Sequence, residues 1–318
     1  MKLDIKSHFR KFIKWYRYLM GKSILHLPQN EGLYYSKEKL RGYYNDLRNK
    51  VFFQKNIDMN SLPYNIIDTG NKIYFPTTII QYGLGAYDLY IETGSKKYLN
   101  KAILCGKWLI ENQDSRGGWS VWNILKVKVL SLYSSMTQGE GASLLFRLGL
   151  ELKEDIFLEA AEKALELMLI PIDKGGTLRI ERNLFFLEEL PEDPPSTILN
   201  GWIFSIFGLY DGFLVTNRTD FKEAFLLSIE TLVKKIKYYD AGFWSFYDLK
   251  RNIASPFYHN LHISLIKVLF ELTNKNVFLD YFKKWSSYRE NIYYKNIALL
   301  IKMFQKLRNI NKETSIIE

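Results

Sequence analysis

The segment Gly242–Ile263, GFWSFYDLKRNIASPFYHNLHI, brings together Tyr247, Asp248, Lys250, Arg251, Tyr258, His259 and His262. Two phenols beside a lysine and an arginine can exchange protons without a metal or a cysteine. A nearby cation favours the ionised phenol, whose ordinary pKa of about 10 is otherwise too high for a base near neutral pH. A Gly-introduced aromatic run gives way here to an apolar helical pattern at Ile263, Leu265, Ile266, Val268 and Leu269. A strand-to-helix change of this kind sets its polar groups at the rim of a fold. A second acidic stretch, Phe186–Ser196 (FLEELPEDPPS), carries Glu188 and Glu189 on a loop stiffened by prolines, with Ser196 expected to cap the next helix. Both glutamates can be solvated loop charges, or one can be a carboxylate offered to a cleft.

Other chemistries lack their residues. His259 and His262 are three apart, but only His8 and His26 stand elsewhere and no carboxylate lies at ligand spacing. They read as hydrogen-bonded histidines at a helix start, and no metal is expected. The single Cys105 sits in an apolar helical run, which excludes an internal disulfide and reads as a small buried side chain. There is no Walker loop, GxGxxG fingerprint or Gly-x-Ser-x-Gly elbow, and no cofactor is expected.

The 318 residues are 47% hydrophobic and 25% charged, enough to bury a full core in one large or two small domains. Net charge is +10, which attracts polyanions. No helix-turn-helix, zinc-finger or RNP signature accompanies it, so nucleic acid is not the expected partner. Aromatic residues make up 16%; flat rings stack on sugar faces, although a bias toward Ile, Lys, Asn, Tyr and Phe also inflates this share. No apolar run reaches the length of a membrane span. The N-terminus, with Lys2, Asp4, Lys6 and Arg10, lacks an apolar signal core, so a cytoplasmic protein is expected, with contact to the inner membrane face an option.

Residues 1–25 are basic and amphipathic. They are expected to form a helix packed on the domain with its charges in water, and the same face suits an anionic membrane surface. Residues 26–75 form an irregular, partly β-stranded lead-in. From about Thr77 a pattern repeats four times: an apolar helix, a tight turn, and a second helix. The expected turns are Glu92-Thr93-Gly94, Arg147-Leu148-Gly149, Val215-Thr216-Asn217 and Leu272-Thr273-Asn274. Between repeats lie Gly117-Gly118-Trp119-Ser120-Val121-Trp122, Gly175-Gly176-Thr177-Leu178-Arg179-Ile180 and Gly242-Phe243-Trp244-Ser245-Phe246-Tyr247, each a glycine turn followed by strand-like alternation. The expected fold is mainly α: an (α/α) toroid of helical hairpins over residues 76–318, with short β-strand excursions lining one end and residues 1–75 packed on it.

Several runs resemble the D-glucuronyl C5-epimerases. They are Tyr74-Phe75-Pro76-Thr77-Thr78-Ile79-Ile80-Gln81-Tyr82-Gly83-Leu84, Asn112-Gln113 through Gly117-Gly118-Trp119, and Ser135-Met136-Thr137-Gln138-Gly139-Glu140-Gly141. Leu199-Asn200-Gly201-Trp202, Gly208-Leu209-Tyr210-Asp211, Tyr247-Asp248-Leu249 and Tyr258-His259-Asn260-Leu261-His262-Ile263 extend the resemblance, in order, over residues 60–288. It corresponds to the family's helical C-terminal domain.

The resemblance implies conversion of glucuronate to iduronate within a polymer. One group removes the hydrogen on C5, α to the carboxylate, and another returns a proton to the opposite face. Cations and hydrogen-bond donors stabilise the enolate-like intermediate. By resemblance the catalytic residues are Glu189 and Tyr258 as the opposed pair, with Tyr247 assisting. Lys250 stands at a family arginine position facing the substrate carboxylate. Arg251, Asn200, Gln81, Gln138, Trp119, His259 and His262 complete the expected substrate contacts. Two departures stand out: Leu190 replaces a family tyrosine that follows the glutamate, and Lys250 cannot bind a carboxylate in the two-pronged way of arginine. The expected partners are an acidic polysaccharide or lipid-linked glycan and a second copy of the chain in a homodimer. Competing readings are a uronic-acid lyase, a glycoside hydrolase using Glu189 with Asp248, and a glycan-binding homologue without catalysis.

Overall fold

The computed structural model describes residues 26–308, with Arg10, Ile13 and Ile316. The expected basic helix over residues 1–25 otherwise lies outside the described residues. A short helix α1 (Arg48–Phe52) and a two-stranded ladder, β1 (Asn65–Ile66) with β2 (Lys72–Ile73), precede the repeats. Four helical hairpins follow: α2 (Pro76–Thr93) with α3 (Lys96–Glu111), α4 (Ser135–Leu152) with α5 (Asp155–Met168), α6 (Leu199–Thr216) with α7 (Thr219–Lys235), and α8 (Pro256–Thr273) with α9 (Asn276–Glu290). A last helix, α10 (Ile292–Arg308), packs on the fourth hairpin.

Burial separates an inner from an outer helix in each hairpin. Helix α6 is buried without a break from Leu199 to Leu209, as expected of a helix surrounded by protein. Helix α7 buries one stripe, Phe221, Ala224, Phe225, Ser228, Ile229, Thr231 and Leu232, and leaves the rest wholly or partly in water. Neighbouring inner helices touch in chain order. Helices α4 and α6 meet backbone to backbone, since a Cβ on Gly208 would lie 2.5 Å from Gly139 Cα. This is the inner layer of an (α/α) toroid.

Three hairpin turns fall where the sequence placed them. Gly94, Asn217 and Asn274 adopt the left-handed conformation that closes a helix. The second does not. Helix α4 runs through Arg147-Leu148-Gly149 to Leu152, and Lys153 takes the left-handed cap. Arg147 is a buried core residue: its Nη1 donates to Asp211 Oδ2 at 2.5 Å and its Nη2 to Gly42 O at 3.0 Å. Gly149 lies within the helix against Leu158.

The lead-in closes the ring. Tyr43 N donates to Asp88 on α2, Tyr44 Oη donates to Asp211 on α6 at 2.7 Å, and Lys267 on α8 pairs with Glu31 at 2.5 Å. All these partners lie toward the C-terminal ends of inner helices, so Tyr43, Tyr44 and Leu47 fill the turn end. The opposite end, where all four inner helices begin, carries the excursions. Only the second forms real strands, β3 (Leu178–Glu181) and β4 (Leu184–Leu187), joined through Arg182 and Asn183, both at positive φ. The first and third make isolated bridges, Ser120↔Tyr133, Asp240↔Ser245 and Phe246↔Ile253, instead of the expected strands. Ser196 does not cap α6, whose N-cap is Ile198; serine caps occur instead at Ser134 on α4 and Ser255 on α8.

Candidate active site

Glu188 and Glu189 leave strand β4 in opposite senses. Glu188 turns into the core, where it accepts from Arg179 Nε at 2.8 Å, Thr197 Oγ1 at 2.6 Å and Thr197 N at 3.1 Å. It is a fixed structural anion. Glu189 is held by its carbonyl, which accepts from Trp122 Nε1 at 3.1 Å, and its side chain lies across the first turn of α6. That approach requires Gly201, where a Cβ would fall 2.0 Å from Glu189 Oε2. Oε2 is buried with no hydrogen-bond partner among the described residues. Loss of water, and then the neighbouring Glu188 carboxylate, push Glu189 up from 4.5 to about 8. It can therefore hold or release a proton near neutral pH.

Tyr247 and Tyr258 meet beside it. Their rings lie 4.7 Å apart at 58°, and a side-chain hydrogen bond joins them. Tyr247 is pinned by its backbone, with its N donating to Asn252 O at 2.6 Å and its O accepting from Leu199 N at 3.1 Å. Tyr258 stands in the first turn of α8, where its N donates to the Ser255 cap. Burial first, then the Glu189 carboxyl, raise Tyr247 well above 10, so it stays a phenol and acts as a donor. This corrects the expectation that Lys250 or Arg251 favours a tyrosinate. Lys250 is paired with Glu192 at 2.8 Å, and Arg251 is exposed in a turn at φ 62°. The cation over the Tyr247 ring is Lys302 of α10, 5.5 Å from the centroid.

Asn200 follows in the first turn of α6, buried, its Oδ1 without a partner among the described residues. Gln81, one turn into α2, donates to both oxygens of Glu140 at 3.2–3.3 Å. Glu140 is fully buried; desolvation, opposed by Gln81 and Lys50 and reinforced by Glu189, brings it to about 8. Lys50 is drawn down to about 8 by burial. Lys50 and Gln81 line one small pocket together with Leu27 and Thr78. His26 packs edge-on to Tyr258 at 5.7 Å. The N-terminal ends of α2, α4, α6 and α8 all face this region and add a positive field.

Four expected substrate contacts are core residues. Trp119 is buried, with its Nε1 donating to Leu109 O, and Gln138 clamps it by donating to Trp119 O at 3.1 Å. His259 stacks on Trp244 at 3.7 Å, shares Ser245 through Nδ1, and donates from Nε2 to Trp285 O. His262 Nδ1 meets the same Ser245 hydroxyl at 3.0 Å. Both rings are fully buried, and desolvation lowers His259 to about 3, so they join α8 to the third excursion as neutral groups. Asp248 is spent too, accepting from Asn252 N and Nδ2.

Glu140, Lys50, Lys302 and His26 are members of this region that the sequence did not single out. For Glu140 a signal existed: a glutamate among glycines and small residues at the start of a helix otherwise buried on all sides.

The family model for the D-glucuronyl C5-epimerase C-terminus matches residues 113–287, more than half of the chain. The chain belongs to this epimerase family. The matched span contains Glu140, Glu189, Asn200, Tyr247 and Tyr258. A D-glucuronyl C5-epimerase of Caenorhabditis elegans is 31% identical over 206 residues, covering 57% of this chain and 33% of that protein. An uncharacterized protein of Methanocaldococcus jannaschii is 26% identical over 136 residues, covering 42% of this chain and 44% of its own. The chain thus spans a third of the first relative and under half of the second. Among solved structures, a family 76 glycoside hydrolase (mannosidase) of Bacteroides thetaiotaomicron aligns at 18% identity and a TM-score of 0.46, over 65% of this chain and 57% of that one.

Proposed function

We propose that this chain is a C5-epimerase acting on glucuronate residues of an acidic polysaccharide or its lipid-linked precursor. One observation carries the reading: Glu189, whose Oε2 is buried without a hydrogen-bond partner among the described residues, sits beside a hydrogen-bonded pair of tyrosines at the excursion end of the ring. Glu189 and Tyr258 exchange the proton at C5 on opposite faces of the sugar, and Tyr247 donates a hydrogen bond. A carboxyl poised at about 8 suits this work, because proton transfer is most efficient when donor and acceptor titrate near the working pH. The converging helix N-termini, together with Lys50 and Lys302, oppose the negative charge that builds on the substrate carboxylate as C5 loses its proton. Leu190 contributes no proton, and two further ionisable groups, Glu140 and Tyr247, stand near Glu189.

The test is incubation with unsulfated and sulfated glucuronate polymers in deuterated water, followed by NMR at H5. Epimerisation replaces H5 with deuterium and produces iduronate signals without shortening the chain. New unsaturated ends would instead indicate a lyase, and new reducing ends a hydrolase. No change in any polymer would remove the enzymatic reading.

A further inference from the structure

We propose that the groove between β2, the C-terminal end of α3 and the first excursion binds the sugar next to the reacting uronate, pairing Lys72 with its carboxylate. This rests on the polysaccharide reading above. The groove measures about 470 Å³, within the range of small-ligand sites. Its lining includes Lys72, Tyr74, Trp108, Asn112, Ser120 and Asn123.

Three features fit an acidic sugar. Tyr74 and Trp108 both line the groove, with ring centroids 6.5 Å apart and planes tilted by 37°, and aromatic rings suit the apolar C–H faces of a pyranose. Tyr74 is held in place by its Oη, which donates to Asp58 Oδ2 at 2.5 Å. Lys72 sits over two rings, 4.3 Å from the Tyr64 centroid and 4.7 Å from that of Tyr74, and 3.9 Å from Asp58. These contacts hold its ammonium at the edge of the groove while 43% of its side chain stays exposed. The lining contributes one cation and no carboxylate, together with amide and hydroxyl groups from Asn112, Ser120 and Asn123.

The first excursion links the groove to the reaction centre. The excursion that forms its wall supplies Trp122, whose indole donates to the Glu189 carbonyl, and Leu130, whose N donates to Pro191 O. In this proposal a polymer with one uronate at Glu189 runs along this excursion and sets its neighbour on Trp108. The strand β2 that carries Lys72 leads directly into α2, the helix that bears Gln81.

The test is calorimetric titration of a glucuronate-containing octasaccharide into the full chain, with H5 exchange measured in parallel. Lys72→Ala and Trp108→Ala are each expected to weaken octasaccharide binding by about tenfold, a typical effect for losing one well-placed contact. KM should rise by the same factor while kcat at saturation stays unchanged. Lys72→Arg should restore affinity. Lys72 is exposed, so its variants keep the test valid even if Trp108→Ala fails to fold. Wild-type affinity in Lys72→Ala, or no binding of the octasaccharide by the unaltered chain, overturns the groove. Binding that depends on Lys72 but proceeds without H5 exchange supports the groove and removes the reaction.

Discussion

Replacing Glu189 by glutamine keeps the side chain's shape and removes its ionisable proton. Burial holds the wild-type carboxyl at about 8, against 4.5 in the unfolded chain. Between those pH values the unfolded chain has lost the proton and the folded chain has kept it. Stability therefore falls as pH rises through this window and levels off above it. At about 1.4 kcal/mol per decade of proton affinity, Glu189 costs the fold roughly 3 kcal/mol at pH 7 and approaches roughly 5 kcal/mol above pH 8. The glutamine amide inherits part of this cost, because a buried amide without a partner is itself unfavourable by about 1–3 kcal/mol. A net gain of about 1–3 kcal/mol at pH 8 remains, and a chain of this size converts it into roughly 2–6 °C of Tm. At pH 4.5 the wild-type carboxyl carries almost none of this ionisation cost while the amide's own penalty remains, so the variant should melt somewhat below wild type and cross above it as pH rises. Thermal melts from pH 4.5 to 8.5 check this, and the reasoning fails if the two proteins keep the same pH slope. Stability gained where activity is lost is the usual signature of a group retained for chemistry.

The remaining predictions concern the parts that hold this carboxyl. Gly201→Ala inserts a Cβ into the space of the Glu189 side chain and should lower H5 exchange at least tenfold (an order-of-magnitude expectation for a displaced catalytic group) while shifting Tm by only a few degrees. Asp211→Ala leaves Arg147 charged and unpaired in the core, which should cost about 3–5 kcal/mol in a urea melt; replacing both residues by apolar ones should recover most of it. His259, lowered to about 3, contributes stability above pH 6.5 that is lost as pH falls toward 3, because the unfolded chain takes up a proton that the folded chain refuses. His259→Gln should flatten that acid slope in melts between pH 6.5 and 4.

Much of the ring was readable because its periodicity is written in residue types. Apolar helices, left-handed caps at Gly94, Asn217 and Asn274, and glycine-led excursions each have a local physical cause. The turn assigned to Arg147-Leu148-Gly149 failed because Arg147 is polar in sequence yet paired in the core with Asp211, 64 residues away. The expected strands formed only where an excursion could fold back on itself, at Arg182-Asn183. In the site, Glu189, Tyr247 and Tyr258 were reached through family resemblance, and the structure brings them together. His259, His262, Trp119 and Gln138 are conspicuous polar or aromatic types, but all four side chains are buried, and each bonds within the core through at least one polar atom. The pairing of Lys250 with Glu192, two residues beyond the missing tyrosine, was not legible, because it joins the third excursion to the loop of the second. Lys50, Lys302 and His26 come from segments far apart in the chain, and only the lead-in and α10 bring them to Glu140, Tyr247 and Tyr258 respectively.

The central claim is that Glu189 exchanges the proton at C5 of a uronate. Wild type, Glu189→Gln and Tyr258→Phe, all shown folded by thermal melts, should be incubated with one glucuronate polymer in deuterated water and followed at H5 by NMR. The account predicts deuterium at C5 and iduronate signals for wild type. Both variants should fall by about a hundredfold or more, the usual scale for losing a general acid or base. Exchange at the wild-type rate in Glu189→Gln would contradict it.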